Sequence, residues 1–162
     1  MFIFNENTPS ESQESADTQP VAPIQEAVTV EFELIHDAAE LPQQNPHSSA
    51  LNLKVCYFEK KNFSMLAHTG LKMKLPVGYE AEVRSLFNLA LDGCVVVDAP
   101  GTIGSDFDGE VCVILGSTTG QAPFMPEANN RTAKIGNAEL TVGDVVAKLV
   151  IQPSLSVKVK EV

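Results

Sequence analysis

His68-Thr69-Gly70-Leu71-Lys72-Met73-Lys74-Leu75-Pro76-Val77-Gly78-Tyr79-Glu80 reads as the end of one strand, a turn and the start of the next. Apolar and polar residues alternate through Met65–Lys74, the period of a half-buried strand. Pro76-Val77-Gly78 supplies turn chemistry, with proline fixing one φ and glycine free to take a positive one. Glu80–Arg84 resumes the alternation.

Working outward, the same texture recurs. Val28, Val30, Phe32 and Leu34 alternate with Thr29, Glu31 and Glu33, and strand-like runs follow at Leu51–Phe58, Cys94–Val97, Glu110–Leu115, Val145–Ile151 and Ser156–Val159. Turn signals separate them: Asn45-Pro46, Pro100-Gly101, Asp108-Gly109 and Val142-Gly143-Asp144. One short segment, Ser85–Asp92, predicts a helix with Leu86, Leu89 and Ala90 on one face and Gly93 behind it. Gly116–Thr141 lacks periodicity and is expected to be a long loop, with room for a small hairpin at Gly136-Asn137. Many short strands at this spacing predict an all-β sandwich or barrel.

Charge divides the chain in two. Of 162 residues, none before Lys54 is Lys or Arg, and residues 1–26 carry five acids (Glu6, Glu11, Glu14, Asp17, Glu26). Rich in Ser, Glu, Gln and Pro, that stretch cannot offset its ordering entropy by burial and is expected to be a flexible acidic arm. Its apolar cluster, Phe2, Ile3 and Phe4, is the expected partner-binding anchor. Residues 27–162 form the predicted β domain, with 16 acids against 11 bases. An overall charge of −10 offers no basic patch, so nucleic acids and anionic membranes are excluded as partners. No apolar run approaches the ~20 residues that span a bilayer. The start of the chain lacks the basic and apolar regions of a signal peptide, which predicts an intracellular product. Cys56, Cys94 and Cys112 have no C-x-x-C spacing, and His36, His47 and His68 are scattered. No metal site, resident cofactor or Cys/His catalytic pair is therefore expected.

The central segment resembles the trimeric dUTPase family. His68 to Glu80 is similar to that family's T-G-L-x-x-x-[IL]-P-x-G-Y strand and turn, and Ala99-Pro100-Gly101-Thr102-Ile103 to its A-P-G-T-I run. Asp106, Gly109 and Glu110 fall where a D-Y-x-G-E pattern would place them, and Gly143-Asp144 with Ala147 and Leu149-Val150 resembles a G-D-R-I-A-Q-L-V strand. His36 to Pro42 and Ser48-Ser49-Ala50 match the opening, so the likeness runs over about residues 28–160. It implies a distorted jelly-roll (β-clip) fold with one short helix, a homotrimer with active sites at subunit boundaries, and hydrolysis of dUTP to dUMP and pyrophosphate. The Mg²⁺ it implies is held by the phosphates.

The family's chemistry needs a carboxylate to activate water and cationic or polar groups on the triphosphate. Against that pattern the chain departs repeatedly. Asn52 stands where the resemblance implies an Asp, Leu86 and Phe87 where it implies a phosphate-binding Arg and Ser, and Lys148 where it implies Gln. Gly104 stands in place of the water-activating Asp and Phe107 in place of the sugar-stacking Tyr. No Gly-rich closing motif follows before Val162. Losing a general base alone costs about 10²- to 10⁴-fold in rate. These departures predict a non-catalytic homotrimer, most concretely a phage or viral capsid decoration protein that binds the major capsid protein or another lattice through its arm, located on a virion surface or in the host cytoplasm. The alternative is a diverged dUTP pyrophosphatase or a dUTP-sensing regulator, with Asp106 as a displaced base and Lys148 returning one positive charge.

Overall fold

The computed structural model describes residues 27–126 and 129–162. The predicted arm, and with it Phe2, Ile3 and Phe4, lies outside the described residues. Two antiparallel sheets and a hairpin make up the rest, with one short helix. The first sheet runs β1 (Glu31–Leu34), β5 (Ser64–Lys74), β9 (Glu110–Ser117), β7 (Cys94–Val96), and β4 (Tyr57–Lys61) also pairs with β5. The second runs β2 (Gln43–Gln44), β3 (Ala50–Lys54), β12 (Val145–Pro153), β6 (Tyr79–Arg84), β8 (Gly101–Ile103). Strands β10 (Thr132–Ile135) and β11 (Ala138–Thr141) pair with each other, and α1 spans Phe87–Leu91.

β5 is the spine because its alternation buries one face throughout: Met65, Ala67, Leu71 and Met73 all point inward. They meet Leu53, Phe58, Val113 and Leu149 in a single apolar cluster that joins both sheets to the β10–β11 hairpin. Each such side chain contributes about 1.5–3 kcal/mol relative to exposure. The Thr-Gly-Leu triplet has a specific job in this strand. The β5–β9 register slips between His68 and Lys72, and Thr69, Gly70 and Leu71 are all buried in the resulting bulge. Thr69 Oγ1 donates to the Val111 carbonyl at 2.5 Å and accepts from the Leu71 amide at 3.3 Å. Gly70 adopts φ 67°, where a Cβ would lie 2.8 Å from the Cβ atoms of both Ala39 and His36. A hydroxyl and a glycine are what this backbone requires.

Several expectations change. The run Leu51–Phe58 is two strands in different sheets: the chain crosses between them at Val55 and Cys56, whose amides bond to the Asp144 and His68 carbonyls. β8 falls where turn residues were read, held by its ladder with β6. The expected loop over 116–141 contains a hairpin, turning at Gly136-Asn137 as anticipated. Ser156–Val159 forms no strand, because the ladder with β6 ends at Pro153 opposite Tyr79 and no described strand takes over. Leu155, Val157 and Val159 are left exposed. The helix is shorter than Ser85–Asp92 and has no side-chain N-cap, since Leu86 occupies that position.

Candidate functional site

The loop from β8 to β9 carries the residues that chemistry would need. The Phe107 amide donates to the Gly104 carbonyl at 3.2 Å, folding Gly104–Phe107 into a tight turn. Within it, Asp106 Oδ1 lies 2.6 Å from the point where a Cβ on Gly104 would stand. Gly104 thus clears the space that the Asp106 carboxylate fills. Gly109 does the same for Phe107, whose ring tip comes within 2.9 Å of the corresponding point. The loop forms one wall of a groove of about 500 Å³, with β1 and the second half of β5 as the other. Lys72, Lys74, Phe32 and Glu33 line it beside Asp106 and Phe107. Neither lysine is in an ion pair among the described residues. Four carboxylates (Glu31, Glu33, Asp106 and Asp108), two ammonium groups and aromatic surface therefore share one opening. Its volume falls in the range of small-ligand sites.

A second group is assembled by strand register. Lys148 lies directly opposite Asn52 on β3 and Arg84 on β6, giving a row Asn52–Lys148–Arg84 across three strands. Arg84 is held by Glu82, with Nε and Nη2 at 2.9 and 2.5 Å from one carboxylate oxygen. Lys148 has no such partner among the described residues. The row leads into α1, where Phe87 is 75% exposed. Ser85 Oγ accepts from the Val96 amide at 2.9 Å, which fixes the hydroxyl against β7 and leaves its proton free to donate. Asn52, Arg84 and Lys148 line none of the described cavities that contain Gly104's neighbours Asp106 and Phe107. The two groups do not share a cavity within one chain among those cavities. A further cavity, of about 640 Å³, meets the Asp106 groove at Phe32; Val28, Val30, Leu41 and Ile151 also line it, without any ionisable group, which suits a polyanion poorly.

A third cluster escaped the sequence reading. His68, Glu110 and Cys112 converge on the outer face of β5 and β9, where the register sets His68 opposite Cys112. They are 42 and 44 residues apart in sequence, so no local spacing could announce them. Burial and then the nearby Glu110 carboxylate push the Cys112 thiol up to about 12, and the same two causes push Cys56 up to about 11.

No protein-family model matches the chain. Individual relatives do. The deoxyuridine 5′-triphosphate nucleotidohydrolase of Aquifex aeolicus is 36% identical over 143 residues, covering 82% of this chain and 83% of the relative. The chain belongs to the dUTPase family. The enzyme of the same name from Syntrophotalea carbinolica is 32% identical over 114 residues, covering 67% and 77%. That of Chlamydia felis is 46% identical over 71 residues, which is 43% of this chain, so the match spans about half (48%) of that relative's length. Among solved structures, dUTPases of the S. aureus phage phi11 and of Staphylococcus bacteriophage 80alpha share the fold, each with TM-score 0.65 at 17% identity over 83% of this chain and 96% of theirs.

These findings correct the sequence-based expectation of function. A retired enzyme working as a capsid decoration protein on a virion is overturned: the Aquifex and Syntrophotalea relatives carry the name of a dUTP hydrolase, and the similar folds are phage dUTPases. The departures at Asn52, Leu86, Phe87, Gly104, Phe107 and Lys148 remain facts of this dUTPase-family sequence. They do not establish inactivity. Among the described residues, no helix is long and apolar enough to cross a membrane.

Proposed function

We propose that the protein is a diverged dUTP pyrophosphatase that releases dUMP and pyrophosphate, with Asp106 as the general base. The observation that carries this reading is the Asp106 carboxylate standing in the space vacated at Gly104. The turn folds the Asp106 side chain back over Gly104, so a carboxylate stands beside the position that the resemblance gives to the water-activating Asp. Asp106 takes a proton from a water as that water's oxygen bonds to phosphorus in line, and the phosphoanhydride bond breaks with pyrophosphate leaving. Lys72 and Lys74 neutralise phosphate oxygens at the same groove, each contact contributing about 1.5–3 kcal/mol when desolvated. Phe107 offers its ring face to the sugar without the Tyr hydroxyl. A Mg²⁺ carried on the phosphates would find hard oxygen donors in Asp108, within the loop, and Asp98, just before β8, and would supply charge neutralisation along the triphosphate.

Self-association completes this reading. The row Asn52–Lys148–Arg84 and the Gly104–Phe107 loop are half-sites that a homotrimer would bring together at its boundaries, Lys148 adding a cation to the phosphates. Exposed Leu34, Phe87, Leu91 and Val97 provide apolar surface for such contacts. Pyrophosphate release from dUTP, UTP and dCTP by the purified chain tests the activity, and light scattering tests the assembly. Tight dUTP binding without turnover would transfer the proposal to the sensing alternative.

A further inference from the structure

We infer that His68, Glu110 and Cys112 form a binding site for a borderline-soft divalent cation, with zinc the best fit. None of its three ligands is used in the nucleotide chemistry proposed above, and the site does not depend on it. Each of the three residues offers one ligand atom, and all three atoms lie within 4.8 Å of one another. His68 Nδ1 is 2.9 Å from Glu110 Oε2 and 3.5 Å from Cys112 Sγ. A tetrahedral zinc ion with Zn–N of ~2.0–2.1 Å and Zn–S of ~2.3 Å sets nitrogen and sulfur about 3.5 Å apart, and nitrogen and oxygen about 3.3 Å apart. The sulfur–nitrogen edge already has that length. The nitrogen–oxygen edge needs to open by about 0.4 Å, which follows when the ion replaces the single proton on Nδ1.

The surroundings are those of a prepared ligand set. The far nitrogen of His68, Nε2, lies 3.3 Å from Glu59 Oε2, the carboxylate that orients a ligating imidazole and fixes its tautomer. The Tyr57 ring stacks on the imidazole with centroids 4.0 Å apart and planes 11° from parallel. Glu110 turns only Oε2 to the cluster, because Oε1 accepts from the Gly70 amide at 2.8 Å in the β5 bulge. Two carboxylates and a thiol around one imidazole leave a surplus of acidic groups that a divalent cation offsets. A thiol and an imidazole favour zinc or cobalt over magnesium. Three protein ligands leave a fourth position to water, and the ion has a way in: Glu110 and Cys112 line a cleft of about 260 Å³ that also borders Phe107.

Titrating the full-length, thiol-reduced protein with Co²⁺ tests the assignment. One equivalent per chain is expected to give a near-ultraviolet thiolate-to-cobalt band with visible tetrahedral bands, both displaced by Zn²⁺. Cys112→Ser is expected to lose the thiolate band, whereas Cys94→Ser, in the core and away from the cluster, keeps it. Glu59→Gln, at a half-buried position and with folding checked by thermal unfolding, is expected to weaken cobalt binding about 10- to 100-fold. A thiolate band that survives in Cys112→Ser, or a reduced wild-type protein that gives no cobalt spectrum, would overturn the site.

Discussion

Asp106 and Gly104 share one volume: the carboxylate Oδ1 lies 2.6 Å from the site of the missing Cβ. Any side chain at position 104 must therefore displace the proposed base. Gly104 is not among the glycines with positive φ, so the backbone there accepts alanine without strain. Gly104→Ala is expected to lower kcat for dUTP by about 10²-fold or more while leaving the melting temperature unchanged. Rate and thermal unfolding measured on the same preparation check both halves, and an unchanged kcat would count against Asp106.

Lys72 and Lys74 border the same groove as Asp106. Because both are exposed, each is expected to contribute near the lower end of charged hydrogen bonding. Lys72→Ala and Lys74→Ala are each expected to reduce kcat/KM about 10-fold, mostly through KM, with the loss shrinking at high salt. Steady-state kinetics at two ionic strengths decides it; salt-independent loss would point to packing.

Gly70 and Gly78 both have positive φ, 67° and 89°, but only Gly70 faces neighbours that a Cβ would strike. Gly78→Ala should cost about 1 kcal/mol from backbone strain alone. Gly70→Ala should cost a further 1–3 kcal/mol or so, from the clash with Ala39 and His36. Urea unfolding of the two variants side by side measures the difference, and equal losses would remove the bulge from its proposed role.

Cys56, Cys94 and Cys112 have thiols raised from 9.0 to about 11, 11 and 12, chiefly by burial. Above pH 9 the unfolded chain releases these protons while the folded one keeps them, so the native state binds more protons and stability falls as pH rises. The loss is expected to grow from about pH 9 to pH 11 and to be smaller in Cys94→Ser. Denaturant unfolding across that range tests it; a flat profile contradicts the assigned shifts.

How much of this was legible in the sequence depends on where each feature gets its cause. β5, the turn before Tyr79 and β6 were readable because alternation and turn chemistry are local. β8 was not, since Pro100 and Gly101 read as a turn and only the neighbouring β6 makes Gly101–Ile103 a strand. The opposite error occurred at Ser156–Val159, where alternation exists without a partner strand. At the candidate site, substitution by substitution comparison marked Gly104 as a loss. What it could not see was the fold of the turn, which carries the Asp106 side chain back over Gly104. The His68–Cys112 pairing depends on register between distant strands and left no trace in spacing.

The most direct measurement compares pyrophosphate release from dUTP by the wild-type chain and by Asp106→Asn. Turnover is expected from the wild type, falling about 10²- to 10⁴-fold in the variant with the fold intact. Equal rates in the two proteins, or none in either, would contradict a base relocated to Asp106.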